Sequence, residues 1–426
     1  MADPTAEINV DLEVQEILLA ASQHDIPKLR RLIRSNEAAL NAANVKDSET
    51  GYSPLHAAIA ACESNDEEPV NEEPNGVHSN GVQPSEEKSD ADSGVNTVRF
   101  LLQEGAIWND LDLNNETPGC IAKRIGKEEL YEMIVDAGVR AELLLNRLDG
   151  YEQLSDMDED EEGEEKDNDD QSAENPQEEQ APADEQSVPQ LVDATRNTST
   201  VAEGTGPDVT SSRYLDSNLT FQGDRLLDQD QNGVMMAWES DIMAKSATKI
   251  LPAPGLRVLN VGHGMGIVDG FLQEQSPASH HIIEAHPDVV AEMKRKGWHE
   301  KPGVQIHEGR WQDILPTLVG QGEQFDAIYY DTFAESYSDF REFFSEQVIG
   351  LLDQEGKWGF FNGMGADRQI SYDVYQKVVE MDLFEAGFDV EWEEIEVPTL
   401  EEEWNGVRRP YWRIEKYRLP LCKFMD

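Results

Sequence analysis

Basic residues are scarce in this chain. Its 426 residues include 34 Lys and Arg against 87 Asp and Glu, a formal net charge of −53. Nucleic acid and anionic membrane are polyanions held by clustered Lys and Arg, so direct contact with either is not expected. A basic protein or a cationic small molecule is the favoured partner. Cysteine is scarcer still. Cys62, Cys120 and Cys422 lie far apart, are odd in number, and have no CxxC or Cys/His cluster around them. That spacing argues against a disulfide framework and against a zinc site, and no metal is expected. Long apolar runs are missing as well; none approaches the ~20 residues that span a bilayer. The first residues carry Asp3, Glu7, Asp11 and Glu13 instead of the apolar core of a secretory leader. A soluble, monomeric, intracellular chain is expected, in the cytoplasm, with the nucleus left open. The cluster Lys294-Arg295-Lys296 is too short to serve as a nuclear signal.

What is present divides the chain into three parts: 1–150, 151–208 and 209–426. In the first part, Val14, Ile17, Leu18, Leu29, Leu32 and Ile33 recur at helical spacing, and His24-Asp25-Ile26-Pro27 separates two short helices. The segment Ser53-Pro54-Leu55-His56-Ala57-Ala58 resembles the T-P-L-H-x-A signature of ankyrin repeats. A poorer copy stands at Thr117-Pro118-Gly119-Cys120-Ile121-Ala122, 64 positions later. The ankyrin period is about 33 residues. The polar stretch from Glu63 to Gly94 reads as a disordered insertion. Removing it leaves the copies about one period apart. Helices are predicted over Val95–Glu104 and Lys127–Leu148, His56 is read as a structural hydrogen-bonding residue, and the region as a docking surface for protein. From Glu152 to Glu185 only Lys166 interrupts the negative charge, so the second part is expected to be an extended linker.

The third part is organised around Val258-Leu259-Asn260-Val261-Gly262-His263-Gly264-Met265-Gly266. An apolar strand breaks into alternating glycines, and Ile267, Val268, Phe271 and Leu272 follow with helical spacing. Strand, glycine elbow and helix make the cofactor-binding corner of an open α/β sheet. A second strand, His280–Ala285, ends at Glu284, 22 residues beyond Gly262. That spacing is close to the ~20 expected of a carboxylate accepting hydrogen bonds from ribose hydroxyls. Val304–His307 leads to Trp311 and Gln312, an aromatic beside an amide that suits adenine. Phe325–Tyr330 ends in Asp331, which the switch-point rule places at the reactive end of the ligand. Trp358–Phe361 makes a fifth strand, and Phe388–Val397 with Tyr411–Leu419 is expected to close the sheet antiparallel. Upstream, Phe221 is placed near the cofactor. Gly233–Glu239 is predicted to head a helix that puts Met235 and Glu239 on one face.

Five ordered blocks carry a resemblance. They are Val-Met-Met-Ala-Trp-Glu at 234–239, Val-Gly-His-Gly-Met-Gly-Ile at 261–267, Ile-Ile-Glu-Ala-His at 282–286, Gly-Arg-Trp-Gln-Asp at 309–313 and Tyr-Tyr-Asp-Thr-Phe at 329–333. The chain resembles the protein-arginine δ-nitrogen (type IV) methyltransferases of fungi. Over about 214–362 it is also similar to guanidinoacetate N-methyltransferase. The resemblance implies a class I S-adenosylmethionine (AdoMet)-dependent methyltransferase fold, Rossmann-like with a seven-stranded sheet, preceded by a small α-helical ankyrin-repeat domain. It implies an AdoMet site formed by Phe221, Met235, the loop Gly262, His263, Gly264, Met265, Gly266 with Ile267 and Val268, then Glu284, Ala285, His286, Trp311, Gln312 and Asp331. Guanidino contacts follow for Glu239 and Asp331. The target it suggests is a large-subunit ribosomal protein.

Arginine stays protonated at neutral pH with its lone pairs delocalised, so methylation needs one nitrogen localised and finally deprotonated. Glu239 and Asp331, each holding a terminal nitrogen, would leave the chain-bearing nitrogen facing the methyl donor, with Asp331 as proton acceptor. Other readings are a methyltransferase of a small guanidino compound, an inactive domain on an ankyrin scaffold, and, third, an NAD dehydrogenase, for which no hydride-transfer acid or base is visible.

Overall fold

The computed structural model describes residues 4–35, 42–63, 86–157 and 209–425. Of the stretches expected to be an insertion (63–94) and a linker (151–208), residues 64–85 and 158–208 lie outside the described residues, and the described remainders at 86–94 and 151–157 are helical.

The amino-terminal half is helical. Helices α1 (Pro4–Ser22) and α2 (Ile26–Ser35) break where expected, and α3 (Pro54–Ala60), α4 (Glu86–Gln103), α5 (Pro118–Arg124) and α6 (Glu128–Met157) follow. The two signature copies take the same local shape. Ser53 and Thr117 sit in extended backbone and accept from the amides of His56 and Cys120, and proline opens each helix. His56 receives the Ser53 amide on Nδ1 and places Nε2 3.2 Å from the Glu116 carbonyl, a buried staple between the copies. Two boundaries differ from expectation. α4 begins at Glu86 instead of Val95, and α6 runs on to Met157, past the predicted limit at Leu148. Ser, Asp and Glu are tolerated in helices when neighbours extend the ladder, so polarity alone did not mark the ends.

The carboxyl-terminal half opens with α7 (Ser211–Leu215) and a small antiparallel sheet of β1 (Thr220–Gln222), β2 (Arg225–Leu227) and β3 (Gly233–Met236). Here the prediction fails. Met235 lies on a strand paired with Leu226, and the helix α8 (Ser240–Ile250) starts only after a turn at Ala237–Glu239. A short apolar run is ambiguous between strand and helix, and pairing with β2 decides it.

The main sheet then alternates with helices: β4 (Arg257–Val261), α9 (Ile267–Glu274), β5 (Ser279–Glu284), α10 (Pro287–Arg295), β6 (Val304–Glu308), α11 (Trp311–Gln321) and β7 (Phe325–Tyr330). After α12 (Tyr337–Glu342), a π-helical stretch and the short α13 (Ile349–Leu351) come β8 (Leu352–Phe360), α14 (Gln369–Glu385), β9 (Phe388–Glu396) and β10 (Lys416–Phe424). The strand order is β6-β5-β4-β7-β8-β10-β9, with β10 antiparallel to both its neighbours. β8 starts before the predicted Trp358, and β10 starts after the predicted Tyr411, which leaves Tyr411 in a loop. At the end of the sheet away from the glycine corner, Arg257 clamps Asp326 and Asp353, tying the starts of β4, β7 and β8 together.

One apolar cluster covers one face of the sheet and continues from Phe343 and Trp358 through Ile370 and Val374 of α14 into Ile121 and Leu130 of the helical module. A second, under α8, α9 and α10, covers the other face. The helical module therefore shares a core with the sheet.

Candidate active site

The reversal of strand order between β4 and β7 opens a crevice at their carboxyl ends, where α/β sheets bind ligands. Gly262, Gly264 and Gly266 all have positive φ there. At Gly262 the reason is close approach as well: a Cβ would lie 1.9 Å from the Asp331 carbonyl oxygen. Glu284, at the end of β5, holds the loop from beneath. Its Oε2 accepts from the amides of His263 (2.9 Å) and Gly264 (3.2 Å), and Oε1 from His286 (2.7 Å). Met235 reaches across from β3, and its Sδ accepts from the Met265 amide at 3.2 Å.

A cavity in this crevice is lined by Met235, Gly262, Gly264, Glu284, Ala285, Trp311 and Asp331 among the residues expected from sequence. The others do not line it. Phe221 packs into the apolar cluster beside Met235. Met265, Gly266, Ile267 and Val268 are not in the lining either, Val268 being wholly core. His286 is buried with Nε2 3.1 Å from the Tyr214 carbonyl. Gln312 turns its amide to Glu335 at 3.4 Å. His263 points down instead of out: Nδ1 stands 2.6 Å from Asp269, whose other oxygen meets His280 at 2.8 Å. Burial pushes the Asp269 carboxyl up, but the two imidazoles more than offset this and hold it below the ordinary carboxylate range.

A second cavity adjoins the first and shares Asp331 with it. Glu239, at the turn before α8, lines this second cavity together with Asp331, so the two carboxylates face one space. Phe333, Phe360, Phe361 and Met364 make its walls. Asp331 Oδ2 is buried and accepts no hydrogen bond among the described residues. Its pKa is raised to about 7, first by burial and then by the charges of Asp269 and Glu284. Glu239, almost fully buried, is raised well above the usual value by burial and by Asp331. Each wants a cation.

Three further residues belong here that the sequence did not single out. Tyr411 donates its hydroxyl to Glu239 Oε1 from the loop before β10. Tyr214 lines the first cavity, its ring tilted against His286 and edge-on to Phe333. Glu335 lines both cavities and accepts from Trp311 Nε1, Thr332 Oγ1 and the Tyr330 hydroxyl. Of these, only Glu335 had a signal available, its place four residues beyond Asp331 at a strand end.

A mostly parallel sheet of this order, with a glycine corner after its first strand and an acid ending its second, defines the class I methyltransferases. Residues 207–405 match the guanidinoacetate N-methyltransferase family model. Over its full length the chain is 76% identical to protein arginine N-methyltransferase 2 of Aspergillus oryzae, with 100% of both chains covered. It is 47% identical to the protein of that name from Neurospora crassa, covering 97% of this chain and 96% of the relative. Among solved structures it is similar to a putative S-adenosylmethionine dependent methyltransferase from Listeria monocytogenes. That match has 15% identity and a TM-score of 0.34, over 44% of this chain and 99% of the other. The chain belongs to the protein arginine N-methyltransferase 2 family.

Proposed function

We propose that this enzyme transfers a methyl group from AdoMet to the δ (N5) nitrogen of arginine in a basic protein. The observation that carries the reading is the composition of the second cavity. Glu239, Asp331 and Glu335 supply three carboxylates, aromatic rings supply the walls, and among the described residues no Lys or Arg lines it. A guanidinium fits such a space, whereas guanidinoacetate would bring a carboxylate that finds no cation there. The names of the relatives, protein arginine N-methyltransferase 2, support the same substrate class.

The first cavity fits AdoMet. Glu284 suits the ribose diol, Trp311 the adenine, and the close glycine backbone the amino-acid end, with Met235 and Asp331 at the inner wall. When bound, AdoMet supplies an electrophilic methyl group. The protein's own work is on the arginine. Tyr411 and the Met236 amide both bond Oε1 of Glu239, which leaves Oε2 to hold a terminal guanidino nitrogen. The buried Oδ2 of Asp331 holds the other side and takes the proton that the chain-bearing nitrogen loses as its bond to carbon forms. Orientation of the guanidine between two fixed anions supplies much of the acceleration.

The helical module is read as an ankyrin-type docking surface, on the strength of its two matched caps at Ser53 and Thr117. A large-subunit ribosomal protein fits as target, being basic. The three free cysteines suit a reducing compartment, cytoplasm or nucleus.

Two measurements test the reading. With labelled AdoMet, arginine-rich protein should be methylated and guanidinoacetate should not, and fragmentation of the product should place the methyl on the δ nitrogen. Methyl on a terminal nitrogen would reverse the roles given to the two carboxylates. In Glu239→Gln, AdoMet affinity should stay unchanged while turnover falls about a hundred-fold or more. Normal turnover in that variant would remove Glu239 from the chemistry.

A further inference from the structure

We infer that Tyr131, on helix α6 of the helical module, is a positioning residue for the guanidine cavity and acts on Asn362 through Asp373, Arg418 and Tyr372. The inference rests on the reading of that cavity given above.

Helix α14 lies between the module and the cavity. On its module side, α5 and α6 come close enough that a Cβ on Gly119 would meet Ile370 at 2.6 Å and one on Gly138 would meet Val374 at 2.7 Å. On its other side Val379 lines the cavity. Contacts this tight leave little play, so a shift of the module is felt by the helix.

The polar links then run without a gap. The Tyr131 hydroxyl donates to Asp373 Oδ2 at 2.6 Å. Asp373 Oδ1 takes Gln369 Nε2 at 3.0 Å and Arg418 Nη1 at 2.8 Å. Arg418 lies over the Tyr372 ring, and its amide donates to the Tyr372 hydroxyl at 2.9 Å. That hydroxyl and the Arg418 carbonyl together receive Asn362 Nδ2, at 3.1 and 3.0 Å. Asn362 is nearly buried and lines the cavity. With its amide nitrogen occupied twice, its Oδ1 is the atom left to accept from a guanidine.

Asp373 thus receives donors from three directions, and Tyr131 is the one that comes from outside the catalytic half. Removing that hydroxyl takes the donor from Asp373 Oδ2 and leaves the carboxylate held by Gln369 and Arg418 through Oδ1, about which it can pivot; that loosens Arg418 and then the pair of acceptors that aim Asn362. A carboxylate at part-buried depth is sensitive to such a loss, because a missing donor there is not fully replaced by water.

The test uses the full-length chain. In Tyr131→Phe, amide hydrogen exchange over Asn362–Met364 should rise about ten-fold while the rest of the sheet is unchanged. The KM for an arginine peptide should rise about five-fold, with kcat and AdoMet affinity unchanged. Combined with Asn362→Ala, Tyr131→Phe should add nothing further, since both remove one link. Asp373→Asn serves as a second variant and should match Tyr131→Phe in exchange. Unchanged exchange at Asn362 in both variants overturns the inference, as does a rise spread evenly over the sheet or a double variant whose losses multiply. The exchange measurement needs no substrate, so it decides the matter even if arginine proves not to be what the cavity takes.

Discussion

Asp331→Asn should lower the rate of methyl transfer by about 10²–10⁴-fold, the loss expected when a general base is replaced by an amide. Its melting temperature at pH 8 should not fall. The two results have one cause. Burial, then Asp269 and Glu284, raise the Asp331 pKa to about 7. The folded protein without substrate therefore holds a proton that the unfolded chain has released, over the window from the ordinary carboxylate value up to about 7. The associated stability is present at the acid end and is lost as pH rises through 7. At pH 8 the wild type carries a buried anion that the asparagine variant lacks.

The pH profile of the wild type follows with the same sign. kcat/KM reports the free enzyme, and it should fall about ten-fold for each pH unit below about 7 as Asp331 takes up its proton. Glu239 is raised too and feels Asp331, so the measured midpoint belongs to the pair. With guanidinium bound both carboxylates are favoured as anions, and the midpoint in kcat should move to lower pH. A flat kcat/KM between pH 5 and 8 would show that neither carboxylate is poised as described.

Gly262→Ala should abolish measurable AdoMet binding and lower the melting temperature by about 10 °C, from a cost of about 3 kcal/mol or more. Two effects add. The backbone at Gly262 has φ of 94°, which a Cβ disfavours, and that Cβ would sit 1.9 Å from the Asp331 carbonyl oxygen. Backbone must move, because the clash is with main chain and no side chain can swing aside. Asp331 donates its amide to the Val261 carbonyl at 2.8 Å, so the displacement would reach the proposed base itself. Calorimetric titration with AdoMet and a thermal melt check both parts. Wild-type affinity in the alanine variant would mean that the corner is softer than the packing implies.

The parts of this site that lie within one stretch of chain were readable from the sequence. The glycine corner, Glu284 at the end of β5 and Asp331 at the end of β7 each combine a strand signal with a polar residue at its carboxyl end, and local spacing suffices to place them. Contacts made across the fold were not readable. Tyr411 reads as the start of a strand by its neighbours, yet its role is set by Glu239, 172 positions away, and by the aromatic rings of Trp238 and Trp404. Gly233–Glu239 reads as the head of a helix, on which Met235 and Glu239 would share a face; pairing with β2 makes Gly233–Met236 a strand instead. His263 stands among cofactor-facing glycines, but its ring is drawn under the loop by Asp269, a partner that helical spacing on α9 conceals. In each case tertiary pairing outweighed local pattern.

Glu284 already bonds the amides of His263, Gly264 and His286. The turn that meets the ligand is therefore shaped during folding, and the entropy of ordering it is lost before any encounter takes place. Binding then resembles a key entering a finished lock more than a latch closing over its guest, and affinity depends on how well solvent is displaced from the crevice.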